Sequence, residues 1–578
     1  MADPNVRHMK WWGWGHEDVS FSDADKPKLW PYLESELGSQ VSSPVPPVKF
    51  EEVTLPVAKE NAPFVEVLKN ALADDQISTG KKDRLIHAAG KAFRDLLRLR
   101  RGQVDYAPDL IVYPASEEDV VAIVNAANEH DAVIIPFGGG TNIAGCLEPH
   151  DKAGRFVVSL DMSRMYRVLE VDKRSLTARM EAGVYGPHME EQLEKHDVTL
   201  GHFPDSFVHS TLGGWVATRS CGMQSDKYGK IEDMVIGIRM VTPSGTIISR
   251  TVPKASNGID IRQLCIGSEG ILGVITEVTM QVHRVPEYKE FDGWIFPDFE
   301  SGAAALHDCM RLGCMPVIAR LNDPKKTALS FAFKKIQSPF KEFIGKCVKW
   351  YLGNIKRIDF KNCCMMIVAC EGDYDTFHMQ RRESAHIFRK RGGVCLGTSP
   401  GKSFQEAKFD FPHVRDYLMD RGVMGDVSET ATTWKNLIPL YKITLAAIEK
   451  AIRDTGVDSW VGCHISHNYH TGASLYFTFG CRQIEGREME QYLYIKKAAE
   501  DAFMANGGTV SHHHAVGTEH LPWIEEDISP TGVKAVQALK DGLDPKGVMN
   551  PGKIIPGENP LKEWGLTEEA IQSFNKTD

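Results

Sequence analysis

The sequence predicts an α+β fold built as two or three domains. Three observations carry this expectation. The chain has 578 residues, more than one hydrophobic core usually serves. A strand–helix–strand unit at residues 110–136 runs directly into a glycine run. The second half mixes helical and strand-like segments with no internal repeat.

Each element has a local reason. Residues 110–113 are a short apolar strand. Ser116, followed by Glu117, Glu118 and Asp119, is a capping box that opens a helix running to about His130. Residues 132–136 form the next strand, and β-rich segments follow at 156–160, 176–180, 234–241 and 272–282. Upstream, residues 39–50 are rich in Ser, Pro and Val and read as loop. The basic stretch 81–101 sets Leu85, Ala88, Ala89, Ala92, Leu96 and Leu97 on one stripe. It reads as one amphipathic helix, packed on a neighbouring domain or lying on a membrane. In the second half, 299–312 reads as helix, and 365–371 and 474–479 as strands. The expected division is an N-terminal, largely helical extension (1–105), then 106–285, 286–510 and a closing segment 511–578.

Composition excludes several classes. Hydrophobic residues make up 42% and charged residues 25%, as in ordinary globular chains. A net charge of −10 argues against a nucleic-acid partner, which selects a basic face. The twelve cysteines are scattered and no CxxC occurs, so the thiols read as small buried apolar groups in a reducing compartment. No secretory signal or transmembrane run is legible, and the C-terminal Asn575-Lys576-Thr577-Asp578 is no peroxisomal SKL-type signal.

Three glycine-rich segments suit close approach of backbone to an anion. The first is Pro136, Phe137, Gly138, Gly139, Gly140, Thr141 and Asn142, directly after a strand. The second spans 205–223, with Asp205, Ser206, Phe207, Val208, His209, Ser210 and Thr211, then Thr218, Arg219, Ser220 and Cys221. The third carries Glu269, Gly270, Ile271, Leu272, Gly273, Val274 and Ile275. Gly397 to Ser403 looks like a phosphate-binding P-loop, but only three residues separate its glycines where four are needed.

In this order and spacing the three loops resemble the FAD-binding segments of the flavoprotein family that includes vanillyl-alcohol oxidase and the D-2-hydroxyacid dehydrogenases. The resemblance implies a two-subdomain FAD-binding domain, an α+β cap over the flavin, and a chain end that returns to the FAD domain. Some members attach flavin through a histidine beside the first loop. None lies between His130 and His150, so non-covalent FAD is expected.

The second half narrows the resemblance. Three adjacent histidines, His512, His513 and His514, follow a Gly-Gly turn. In an extended segment His512 and His514 would share a face, as donors near an anion or as two ligands of a metal. The segment resembles the triple-histidine segment of the alkyldihydroxyacetonephosphate synthase family. So do the strand around Tyr476, the segments around Arg320 and Arg415, and residues 9–15 near the N-terminus. The spacing of His464, His467 and His470 departs from the metal-binding pattern of the dehydrogenases, and no metal is expected.

That resemblance, covering about residues 9–555, implies ether-lipid biosynthesis. The acyl group of 1-acyl-dihydroxyacetone phosphate is exchanged for a long-chain fatty alcohol, with non-redox covalent catalysis through flavin N5. It implies Tyr476 as general acid/base, its phenolate stabilised by neighbouring histidines, with His512, His513 and His514 at developing negative charge. It places Arg320 near the flavin and Arg415 on the substrate phosphate. A homodimer, peripheral on the lumenal face of the peroxisomal membrane, is implied too. The basic, aromatic stretch 331–357 reads as membrane docking or as a basic helix pair of the cap. The other reading weighed is an FAD-dependent D-2-hydroxyacid dehydrogenase.

Overall fold

The computed structural model describes residues 8–19, 21–24, 26–38, 45–333 and 339–574, excepting the side chains of 339–344 and 346. The C-terminal tetrapeptide and part of the basic stretch 331–357 lie outside it.

Eighteen strands form four sheets among the described residues. A four-stranded sheet holds β1 (Ile77–Ser78), β2 (Leu110–Val112), β3 (Ala132–Phe137) and β4 (Phe156–Asp161), in the order β1-β2-β4-β3. The next seven strands are β5 (Val168–Asp172), β6 (Thr177–Glu181), β7 (Val198–Thr199), β8 (Val235–Thr242), β9 (Gly245–Ile248), β10 (Val274–Gln281) and β11 (His283–Arg284). Five of them form an antiparallel sheet, β5-β6-β10-β8-β9, and β7 pairs with β11. The last seven are β12 (Tyr288–Phe296), β13 (Ile318–Asn322), β14 (Cys364–Gly372), β15 (Val394–Gly397), β16 (Val423–Thr433), β17 (Ser459–Asn468) and β18 (Gly472–Arg482). They form one antiparallel sheet, β15-β12-β14-β13-β17-β18-β16.

The strand–helix–strand unit forms as its caps dictate. Ser116 Oγ accepts from Asp119 N at 3.2 Å and the helix Glu117–Glu129 follows. β2 and β3 both run parallel to β4, the arrangement a crossover helix imposes. The chain end comes back here: Ile134 N donates to Val548 O and Asn550 N to Ile134 O, at 2.8 and 2.9 Å.

The stretch 81–101 is not one helix. It divides into Lys81–Ile86 and Phe93–Arg100. Between them Gly90 lies against the first glycine loop, where a Cβ would sit 2.2 Å from Asn142 O, and Lys91 N donates to that same carbonyl at 2.7 Å. A continuous helix would forfeit this contact.

Candidate active site

The glycine run leaves β3 and lies back against the second loop. A Cβ on Gly139 would sit 1.8 Å from His209 O, and Gly140 has φ +71°, so side chains are excluded by packing and by backbone. The amides of Gly139, Gly140 and Thr141 make no hydrogen bond to any described residue. Donors of this kind facing a cavity are what a pyrophosphate takes, and the loops therefore fit FAD.

One cavity of about 330 Å³ joins these loops to the large sheet. Most of the expected cofactor positions line it: 136–142, Asp205, Ser206, Ser210, Thr211, Thr218, Ser220, Cys221, Glu269, Gly270, Gly273, Val274 and Ile275. Six do not. Phe207, Ile271 and Leu272 are core residues, Val208 faces solvent, and Arg219 reaches Gln263 O at 3.2 Å. The His209 ring packs against His16 and His413. Within the lining, Glu269 serves as a buckle. Its buried carboxylate accepts from Val516 N and Gly517 N, both at 2.7 Å, and from Cys146 Sγ at 3.1 Å.

Across the cavity, sheet register assembles the chemistry. Tyr476 on β18 is paired with Glu429 on β16 and with His464 on β17. Directly opposite residues share a face. His464 is also paired with Asn322 of β13, and Arg320, two residues earlier, shares that face. Arg320, Tyr476, His464, His513, His514 and Arg415 all line the cavity. The Tyr476 ring lies 4.7 Å from His464, 5.9 Å from His513 and 5.3 Å from His514.

Glu429 organises the triple histidine. Its buried Oε1 accepts from Ser511 Oγ at 2.9 Å and from the backbone amides of His512, His513 and His514 at 2.9, 2.9 and 3.1 Å. Burial would raise this carboxyl, yet the imidazoles of His513, His514 and His512 around it hold it well below the usual range. The segment bends around one oxygen and is not extended. As a result His513 and His514 face the cavity, not His512 and His514. His512 sits behind them, with Tyr469 Oη 2.7 Å from its Nε2 and His513 Nδ1 2.9 Å from its Nδ1.

Burial pushes His512 and His514 well below an ordinary histidine, so both are neutral. Burial, then Asp205, pushes the Tyr476 phenol up, against Arg415 and Arg320, which pull it down. The phenol is therefore the resting form of Tyr476, and the neutral rings of His464 and His514 beside it give hydrogen bonds but no net charge. Arg415 donates to Lys91 O at 2.7 Å and to Asp426 Oδ1 at 2.5 Å. Arg320 has no hydrogen-bond or ion-pair partner among the described residues.

Glu429 and Lys326 escaped sequence reasoning. Lys326 is 5% exposed and its Nζ lies 2.7 Å from His464 Nδ1. The one available signal for Glu429 was a carboxylate inside the otherwise uncharged run 427–433. The three spaced histidines do not converge: His464 faces Lys326, His467 packs on His512 and His513, and His470 is exposed.

Beyond the sheet the cavity becomes apolar. Leu29, Leu33 and Leu37, one stripe of the helix Leu29–Leu37, close it together with Leu329, Phe333, Leu418, Val423 and Trp460.

Two family models match the chain, an FAD binding domain at residues 108–250 and the FAD linked oxidases, C-terminal domain, at 285–554. The chain is 40% identical over 573 residues to the alkyldihydroxyacetonephosphate synthase of Dictyostelium discoideum, covering 95% of this chain and 94% of that one. A solved alkyldihydroxyacetonephosphate synthase structure superposes with TM-score 0.82 at 39% identity, over 94% of this chain and 99% of that one. A structure of p-cresol methylhydroxylase shares the fold, with TM-score 0.62 at 15% identity, over 87% of this chain and 98% of that one.

Proposed function

This chain belongs to the alkyldihydroxyacetonephosphate synthase family, and we infer that it replaces the acyl group of 1-acyl-dihydroxyacetone phosphate with a long-chain fatty alcohol. The product is alkyl-dihydroxyacetone phosphate, an ether-lipid precursor. One observation carries the reading: a single cavity joins FAD-type glycine loops, a Tyr–His–Arg cluster and an apolar arm. A polar headgroup and a long alkyl chain need all three at once.

FAD, held without a covalent link by the loops around Gly138–Gly140, Ser210–Thr211 and Glu269–Gly270, would supply a nucleophile at N5 with no net redox change. The protein's groups do the rest. The phenolate of Tyr476, the form that Arg415 and Arg320 favour against burial, takes a proton from C1 of the substrate at its Oη and becomes the phenol. His513 and His514 offer hydrogen bonds to negative charge developing beside it. His512 acts one step removed, through its bond to His513. Arg415 binds the phosphate with the N–H groups not used on Lys91 O and Asp426. Arg320 supplies a second cation close to the reacting atoms. The apolar arm behind the helix Leu29–Leu37 shelters the alkyl chain.

The lipid substrates call for work at a membrane surface, and the family resemblance extends this reading to the peroxisomal lumenal face and to a homodimer. No helix among the described residues is long and apolar enough to cross a membrane. Exposed Trp350, Tyr351, Ile355 and Phe360, with Lys349 over the Phe360 ring and Lys356 over the Tyr351 ring, support docking there. Vesicle co-sedimentation checks it. Equal binding by the Lys349→Glu/Lys356→Glu variant would refute this surface.

The activity is tested by a paired assay on the FAD-loaded protein. One arm supplies acyl-dihydroxyacetone phosphate and labelled hexadecanol, the other D-2-hydroxyacids and a dye acceptor. Ether product without dye reduction is expected. Dye reduction without ether product would favour the dehydrogenase reading.

A further inference from the structure

His464 and Lys326 form a buried pair behind Tyr476 that no step above uses. His464 lines the cavity and is 2% exposed, while Lys326 does not line it. The Lys326 Nζ to His464 Nδ1 distance is 2.7 Å, and the same Nζ lies 5.2 Å from the Tyr476 ring centroid. An ammonium has only protons to give. When Lys326 is charged, Nδ1 of His464 must therefore be the acceptor, and the ring carries its proton on Nε2. When Lys326 is neutral it can accept from Nδ1–H, and His464 then offers a bare Nε2.

The groups around Lys326 leave this choice open. Asp323 is the nearest carboxylate along the chain, but its Oδ1 is taken by the Lys326 backbone amide at 2.8 Å. Its Oδ2 is taken by Cys463 N at 2.7 Å and Tyr441 Oη at 3.2 Å. Arg320 from β13, Cys463 from β17 and Asp205 from the second glycine loop also face the ammonium. Burial, then Arg320, brings Lys326 down to about 7. His464 stays neutral, because burial and then Arg320 and Lys326 push it well below its ordinary value.

We propose that Lys326 is a positioning residue that locks His464 in its Nε2–H form, and that His464 is a hydrogen-bond donor to the substrate's carbonyl oxygen. A neutral imidazole donor of this kind stabilises the enolate-like charge that appears at this oxygen when the C1 proton moves to the Tyr476 phenolate, which becomes the phenol. The inference rests on the synthase reading of the Tyr476 site.

The test uses FAD-loaded protein and the ether-forming assay over pH 5.5–9. Wild-type kcat should fall as pH rises through the Lys326 titration, near 7, because the donor form of His464 is lost. His464→Gln carries an amide N–H that does not depend on Lys326, so that limb should vanish. Lys326→Met should lose about tenfold in kcat with KM within about twofold and should show no limb. His464→Phe should lose about 10²–10³-fold in kcat. FAD content and circular dichroism report folding, and His464→Gln decides the matter if Lys326→Met fails to load FAD. An alkaline limb that persists in His464→Gln, or wild-type kcat in His464→Phe, would overturn the proposal. No ether product from wild type would instead overturn the synthase reading itself.

Discussion

Glu429→Gln removes one charge and almost no volume, and it tests what holds the histidine segment. Glu429 Oε1 receives three consecutive backbone amides and one hydroxyl, at 2.9–3.1 Å, in a side chain that is 1% exposed. Bonds to a charged acceptor contribute about 1.5–3 kcal/mol each, roughly twice a neutral bond. A glutamine oxygen in the same place keeps the geometry at about half the strength. The three amide bonds would then lose about 3 kcal/mol together. At 1.4 kcal/mol per factor of ten, opening of the segment should become about 100-fold easier. Hydrogen–deuterium exchange of a peptide spanning 511–516 in the FAD-loaded protein reads this directly, with β4 as an internal reference. Turnover should fall in parallel, as His513 and His514 lose their placement. Because Glu429 is depressed, its contribution is complete above the unfolded value near 4.5 and is lost as pH falls through its folded value. Wild-type protection should therefore be flat from pH 5 to 8. Exchange in Glu429→Gln within about threefold of wild type would refute the charge as the anchor.

Tyr476→Phe should abolish ether formation while the protein stays yellow and its FAD content is unchanged; wild-type turnover would remove Tyr476 from the mechanism. Gly139→Ala should lose FAD on gel filtration, since the new Cβ would sit 1.8 Å from a backbone carbonyl that cannot swing away. Leu33→Trp should shorten the preferred alcohol. Each methylene shut out forfeits about 0.8 kcal/mol, roughly fourfold in kcat/KM, and an unchanged chain-length profile would place the alkyl chain elsewhere. Neither carboxylate oxygen of Glu500 has a hydrogen-bond partner among the described residues, and burial raises it to about 8. The folded state then binds the extra proton, and wild-type stability should decline from pH 4.5 to about 8. The gain in unfolding temperature from Glu500→Gln should accordingly be larger at pH 9 than at pH 5, measured at one scan rate.

The sequence by itself determined what is local. The glycine run after β3 needs only its own residues to exclude side chains, and the Ser116 cap starts its helix from within four residues. Adjacent histidines are close in space whatever the fold. Family motifs extended this to Tyr476, Arg320 and Arg415, but not to their surroundings. Only the tertiary structure decided the row Glu429–Tyr476–His464, because strand register is set by pairing between segments far apart in sequence. It decided which histidines face the cavity, since the segment bends around a carboxylate some 80 residues away. It broke the helix expected over 81–101, where contact with Asn142 outweighed helix propensity. It also placed Lys326 behind His464 and the helix Leu29–Leu37 over the apolar arm, pairings that no spacing in the chain encodes. Burial then fixed the charge states: the same tyrosine and histidines would titrate ordinarily in water, and desolvation by the assembled domains keeps them neutral.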